Sequence, residues 1–370
     1  KLKVIKIDKD TKEIIKRANI KFKIFDVAKN KYVCQTTDKV VCEFMTDANG
    51  IMVTPLPLIA GTYKLEEVDQ DINGYLWNKQ SVEFTIDSNS KLVNNNDLGV
   101  LFEVKFENKA VKGNINIKKL GEKAEITTDG YIYNKINLPN IKFGLYADED
   151  ISLPSGKLLY KKGALVKTGT TDSNGNLIFK NLELAKYILK ELETDSNHII
   201  DTNDYKVELK YKDQYTPTVT YDITLQNYYK KGTLKFTKRD LVTDETIANT
   251  KIEIYNENDN LVFSGETDIN GEITINNLKL GKYYIIEKEA ASGYVLTKEK
   301  VYFEIKDNNE IVKAEMKNKP IVGKLEFTKL DISTSKPLPE TLIEIYDNND
   351  NLVFSGRTNN EGKINLDELK

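Results

Sequence analysis

Tandem all-β sandwiches arranged as a rod are the architecture that this sequence of 370 residues predicts, and three observations carry that reading. Apolar and polar residues alternate with period two over short segments parted by Gly, Asn and Asp turns, the pattern of half-buried strands. No window holds a helical period. A spaced Asn, Gly and Lys recurs as Asn108–Gly113–Lys119, Asn227–Gly232–Lys238 and Asn318–Gly323–Lys329. Fixed spacing with variable filling marks a junction, where one unit's last strand ends on the Asn and the next unit's first strand runs into the Lys.

The junctions set units at 1–110, 113–229 (an elaborated unit), 232–320 and 323–370. Residues 232–279 and 323–370 match at 25 of 48 positions without gaps, including DNLVFSG at 259–265 and 350–356. The fourth unit ends level with Lys279 and is expected to be a truncated copy within a cut piece of a longer chain. Links of only a few residues between units restrict bending, hence the rod.

Each unit opens on a strand that alternates into a Lys: Leu2-Val4-Lys6, Ile115-Ile117-Lys119, Leu234-Phe236-Lys238 and Leu325-Phe327-Lys329. Second strands follow at 20–26, 141–147, 250–256 and 341–347. Turns come next at 47–50, 172–175, 268–271 and 359–362. Three of them end in Asn-Gly, which favours a tight hairpin because both residues tolerate positive φ. A further strand runs through a Tyr to a Glu at 61–67, 185–191 and 281–287. The last strand alternates into the Asn, as in Phe102-Val104-Phe106-Asn108, Tyr221-Ile223-Leu225-Asn227 and Val312-Ala314-Met316-Asn318. Seven or so short strands per unit indicate a β-sandwich.

Composition removes several functions. Lys plus Arg number 54 and Asp plus Glu 57, interspersed, for a net charge of −3, so no basic stripe awaits nucleic acid. No apolar run is long enough for a membrane span, and any secretion signal is expected outside this fragment. A single His, His198, argues against a His-based metal or triad site, and no cofactor is expected. A hairpin centred on Asp38 would set Cys34 opposite Cys42, as a disulfide in an oxidising compartment or as two free thiols.

Parity places polar residues on inward faces. Lys6 shares a face with Leu2 and Val4, Asn108 with Val104 and Phe106, and Glu67 with Tyr63 and Leu65. The same holds for Lys119, Glu191 and Asn227, and for Lys238, Glu287 and Asn318. Such groups are costly in an apolar core unless they satisfy one another. If first and last strands are neighbours, the amine and carboxamide meet beside the acid. Desolvation then favours the uncharged, nucleophilic amine and the neutral acid. The expected product is a Lys–Asn amide formed once per domain, with an effective molarity of roughly 10⁵ M or more. The alternative is a buried Lys–Glu ion pair capped by Asn. Lys118 and Glu66 compete as neighbours, and parity favours Lys119 and Glu67.

These motifs resemble the B-type repeats of Gram-positive collagen adhesins and the similar SpaA-type domains of pilins. In that family a strand ends in Lys-x-Asp, a Gly-x-Tyr-x-x-x-Glu segment precedes Gly-Tyr, and an Asn closes the domain. Lys238-Arg239-Asp240, Gly281 to Glu287, Gly293-Tyr294 and Asn318 fit throughout, as do Lys6-Ile7-Asp8, Gly61 to Glu67, Gly74-Tyr75 and Asn108. The resemblance implies a prealbumin-like, Ig-like sandwich in which Glu67, Glu191 and Glu287 promote isopeptide bonds from Lys6, Lys119 and Lys238 to Asn108, Asn227 and Asn318. Lys329 would be the amine of the fourth unit. The middle unit departs from the pattern: Leu120-Gly121 replaces x-Asp, Ala185 replaces Gly, and Asn197-His198 replaces Gly-Tyr, with His198 read as a surface substitution.

The function this implies is a non-enzymatic stalk or shaft segment of a cell-wall-anchored surface protein, extracellular on a Gram-positive cell. Other parts of the parent chain would grip a host matrix or cell-surface ligand, and a sortase anchor outside the fragment would join it to peptidoglycan. A matrix-binding module or an accessory region of a secreted enzyme are the alternatives. LPETL at 338–342 lacks the Gly and tail of a sortase signal and reads as a strand entry. The Asp-x-Asn-Gly turns lack the twelfth-position acid of a calcium loop.

Overall fold

Strand segments rich in β-branched and aromatic residues, each bounded by Gly or Asx turns, produce an all-β protein of successive sandwiches. This is a computed structural model that describes residues 1–153 and 156–369. Lys370, the expected limit of the fourth repeat, lies outside the described residues. Two compact units are present: Lys1–Glu122 with Lys135–Tyr228, and Lys123–Asn134 with the chain from Tyr229 onward.

Within the first unit, the first sandwich has one sheet in the order Leu92–Asn95, Gly99–Asn108, Leu2–Asp8, Ile51–Val53. Its other sheet runs Lys31–Tyr32, Lys21–Asp26, Gly61–Glu67, Val82–Ile86. The second sandwich repeats this plan, with Thr218–Gln226 and Asn176–Leu182 flanking Lys112–Thr127. Opposite lie Leu165–Thr170, Lys142–Ala147, Lys186–Glu193 and Tyr205–Glu208. In the second unit, Glu272–Lys279, Lys231–Asp240 and Ile311–Asn318 form one sheet, and Leu261–Glu266, Lys251–Asn256, Gly281–Glu289 and Val301–Ile305 the other. Two further strand pairs follow, Gly323–Thr328 with Lys363–Leu369 and Leu342–Tyr346 with Leu352–Arg357. Residues 123–134 belong to this unit, and Tyr131 packs against its core.

First and last strands of each complete sandwich pair in parallel, side by side in one sheet. Lys6 lies opposite Phe106 and Asp8 opposite Asn108. Lys119 lies opposite Leu225, and Lys238 opposite Met316 with Asp240 opposite Asn318. Period-2 geometry therefore puts each Lys and the Asn two residues past its partner on the same face. That face looks into the core, where Phe22 and Phe106 meet edge-to-face at 5.1 Å.

The turn before the third principal strand differs from a two-residue Asn-Gly hairpin. In Asp47–Gly50 only Gly50 has positive φ, and the Asp47 carboxylate accepts hydrogen bonds from the amides of Asn49 and Ile51. Asp172 and Asp268 do the same. A short Asp side chain thus supplies the second leg of the turn, which leaves one position in the left-handed region rather than two. A buried Thr precedes each of these turns. Thr46, Thr171 and Thr267 each donate to a carbonyl and accept from the amide that starts the second strand, as Thr358 does in the fourth repeat.

The turn glycine has a further duty. The Gly50, Gly175 and Gly271 carbonyls accept from the amides of Lys6, Lys119 and Lys238 at 3.0, 2.7 and 2.9 Å. A Cβ on Gly50 would sit 2.0 Å from the Ile15 carbonyl oxygen, and its φ is +75°. Gly50→Ala should therefore destabilise the first sandwich by about 1–3 kcal/mol or more, read as a lower urea midpoint; an unchanged midpoint would refute this role.

Candidate cross-linking site

Alternation along the opening strand buries Lys6 at 0% exposure, and Lys119 and Lys238 are equally enclosed. Asn108, Asn227 and Asn318 are each 1% exposed. The acid comes from the facing sheet, where Glu67 lies opposite Phe22, Glu191 opposite Phe143 and Glu287 opposite Ile252. Each cluster is thus assembled across the sandwich from three strands distant in sequence. Lys118 turns outward to the Asn174 carbonyl, and Glu66 accepts from the Tyr32 hydroxyl.

In the first sandwich Lys6 Nζ donates to Glu67 Oε1 at 2.9 Å and to Asn108 Oδ1, while Asn108 Nδ2 donates to the same Glu67 oxygen at 3.2 Å. One carboxylate oxygen touches both nitrogens. The third sandwich repeats this arrangement: Lys238 Nζ is 2.6 Å from Asn318 Oδ1 and 3.2 Å from Glu287 Oε1, and Asn318 Nδ2 donates to Glu287 Oε1 at 2.6 Å. The second carboxylate oxygen is held by a loop amide, Asn78 N at 3.3 Å or Thr297 N at 2.7 Å. Sequence reasoning missed these loop donors, because backbone amides leave no residue signature.

Burial pulls the Lys6 amine down to about 8, against the opposing pull of the Glu67 carboxylate. Burial lowers Lys238 as well, with Glu287 opposing it. The Phe106 and Phe22 rings lie 4.4 and 5.3 Å from Lys6 Nζ and exclude water from it.

The middle sandwich is arranged differently. Lys119 Nζ is 2.7 Å from Glu191 Oε2, within ion-pair range, but the approach is too oblique for a hydrogen bond. Asn227 Nδ2 donates to Glu191 Oε1 at 2.5 Å and to Thr194 Oγ1 at 3.0 Å. Its carbonyl oxygen accepts no hydrogen bond among the described residues. The departures in sequence have a packing cause. Asp8 and Asp240 each cap a turn by accepting two backbone amides. At the matching position of the middle sandwich stands Gly121, where a Cβ would lie 2.9 Å from His198 Nε2. His198 is not the surface substitution expected: it is 4% exposed, facing the Asp195 carboxylate and the Glu122 backbone. The small Gly makes that room.

Lys329 is half-buried, its amide bonded to Gly362 O, and no Glu or Asn side chain is brought to it among the described residues. Cys34 and Cys42 form a disulfide across the short strands Gln35–Thr36 and Val40–Val41. Among the described residues no cluster of His, Cys, Asp and Glu is arranged to hold a metal.

Fold and cluster together define a tandem prealbumin-like β-sandwich repeat with a buried amine, acid and amide in each complete copy. The model of the SpaA prealbumin-like fold domain matches residues 1–98, 113–224 and 232–320, so the chain belongs to that family. The serine-aspartate repeat-containing protein F of Staphylococcus epidermidis is 27% identical over 211 residues, which is 50% of this chain and 13% of that protein. The Bacillus anthracis TIE protein has a TM-score of 0.60 at 26% identity, over 86% of this chain and 50% of that one. The major pilin subunit BcpA of Bacillus cereus is 18% identical with a TM-score of 0.38, over 86% and 99% of the two chains. The chain therefore spans a small part of the curated relative and half of the TIE protein.

A pH dependence follows from the burial of Lys6. In Asn108→Ala the Lys6 amine stays free, and its folded value of about 8 lies below the ordinary 10.5. Between those values the unfolded chain binds more protons, so stability rises with pH across that window. The urea midpoint should climb from pH 8 to 10 relative to Asn108→Ala with Lys6→Met; parallel curves would refute it.

Proposed function

We propose that this chain is a load-bearing stalk or shaft segment of a surface protein, outside a Gram-positive cell, each complete sandwich locked by an intramolecular Lys–Asn isopeptide bond. The observation that carries the reading is the parallel pairing of first and last strands, with an inward amine and amide sharing one carboxylate oxygen. Family membership and the serine-aspartate repeat-containing relative support the setting. Attachment to peptidoglycan and any host ligand would belong to other parts of the parent protein.

The chemistry balances without a cofactor. The uncharged Lys Nζ attacks Asn Cγ, and the Glu carboxyl polarises the amide carbonyl while passing the proton lost by Nζ to the departing Nδ2. The C–N bond to Nδ2 breaks, ammonia leaves, and Nζ–Cγ becomes an amide. Because Oε1 already touches both nitrogens in the first and third sandwiches, the proton moves through one atom. The reaction happens once, so it is self-processing rather than turnover.

A bond from Lys6 to Asn108 closes a loop across 102 residues. By analogy with a disulfide, the entropic gain is about 4–5 kcal/mol. Tension between the first and last strands would otherwise shear a ladder of hydrogen bonds. A covalent link beside that ladder carries the load instead.

Intact mass tests the reading: folded protein should have lost one ammonia per complete sandwich, three at most. Lys238→Ala should abolish one loss and lower the melting temperature, and Glu67→Ala should prevent the loss at Lys6. A mass equal to the summed residues would end the cross-linking account.

A further inference from the structure

The loop after Glu67 holds both reactive groups of the first sandwich. Asn78 N donates to Glu67 Oε2 at 3.3 Å, Trp77 Nε1 donates to the Glu67 carbonyl at 3.1 Å, and the Leu76 carbonyl accepts from Asn108 Nδ2 at 2.9 Å. Asn78 Nδ2 adds a bond to the Glu107 carbonyl at 2.7 Å, and Leu76 N to the Lys109 carbonyl at 2.9 Å. Three consecutive residues thus fix the acid, the amide and the end of the closing strand.

That loop is itself gripped by the second sandwich, within the same compact unit. Trp77 N donates to the Gln214 carbonyl at 3.1 Å, and the Tyr215 ring meets Trp77 edge-to-face at 6.4 Å. The Tyr215 hydroxyl donates to both oxygens of Asp69, at 3.0 and 2.8 Å, and the Tyr211 hydroxyl to Asp71 at 2.7 Å. In the third sandwich the corresponding donor is Thr297 N, but Leu296 takes the place of Trp77 and stands 48% exposed. Among the described residues no hydrogen bond or ring contact holds that loop at Leu296.

We propose that Gln214 and Tyr215 are positioning residues for the first sandwich's cross-link, so that the Lys6–Asn108 bond forms at full rate only after the second sandwich has folded and docked on the Leu76–Asn78 loop. The inference rests on the cross-linking reading above. It gives that reaction an order: the neighbour that follows in the chain completes the site that precedes it. A loop released from Gln214 and Tyr215 would let Glu67 drift from its two nitrogens and admit water to Lys6.

The test uses the full chain made by cell-free synthesis, quenched in acid at timed intervals and digested to quantify the linked Lys6–Asn108 and Lys238–Asn318 peptides. Tyr215→Ala should slow the first link about tenfold or more and leave the second at its wild-type rate. The pH at which the first link's rate levels off should also move above about 8, because a hydrated Lys6 returns towards its ordinary value. Should Tyr215→Ala keep the second sandwich from folding, Tyr215→Phe, which retains the ring beside Trp77, should still slow the first link several-fold. An unchanged Lys6–Asn108 rate in both variants, or equal slowing of both links, overturns the proposal. Absence of either link in wild-type protein would instead remove the cross-linking reading on which it rests.

Discussion

Everything in each sandwich depends on the parallel pairing of its first and last strands. Adjacent strands distant in sequence close the domain, and their register sets an amine and a carboxamide two residues apart on one inward face. A Lys side chain is long enough to bridge that offset. Had the strands slipped by one residue, one of the two groups would face solvent and the cluster would not exist. Register is therefore the quantity that the turns, the buried Thr side chains and the Gly-to-Lys backbone bonds maintain.

Burial makes that geometry chemically consequential. A lysine amine with no water around it is costly as a cation, which is why Lys6 is drawn down to about 8. The apolar rings that impose this cost also give the sandwich its core. On the proposed function the unlinked state carries a penalty that an amide product would not. An acid from the opposite sheet then completes the cluster, so neither sheet holds all three groups alone.

The three complete copies are not equivalent. The first and third share one pattern of contacts among amine, acid and amide, whereas the middle one divides its acid between amine and amide and places His198 where its neighbours have Tyr. Repeat proteins tolerate such drift because each copy has its own core. The first copy differs again, because the loop that holds its acid and amide also contacts the sandwich that follows.

Alternation with period two was sufficient, from the residues alone, to name the all-β class, the inward faces and the polar residues on them, since side-chain direction along a strand is a local property. The recurring Asn, Gly and Lys likewise marked where copies meet. Local pattern says nothing about which strand lies beside which. The parallel neighbours, their register and the facing Glu were decided by tertiary contacts across tens of residues, and the joining of Cys34 to Cys42 and the loop amides at Asn78 and Thr297 by the folded path of nearer segments. The burial of His198 and the docking of Trp77 belong with them, because a residue's exposure is set by what packs over it. A strand's own sequence specifies a face; only the closed sandwich specifies what that face meets.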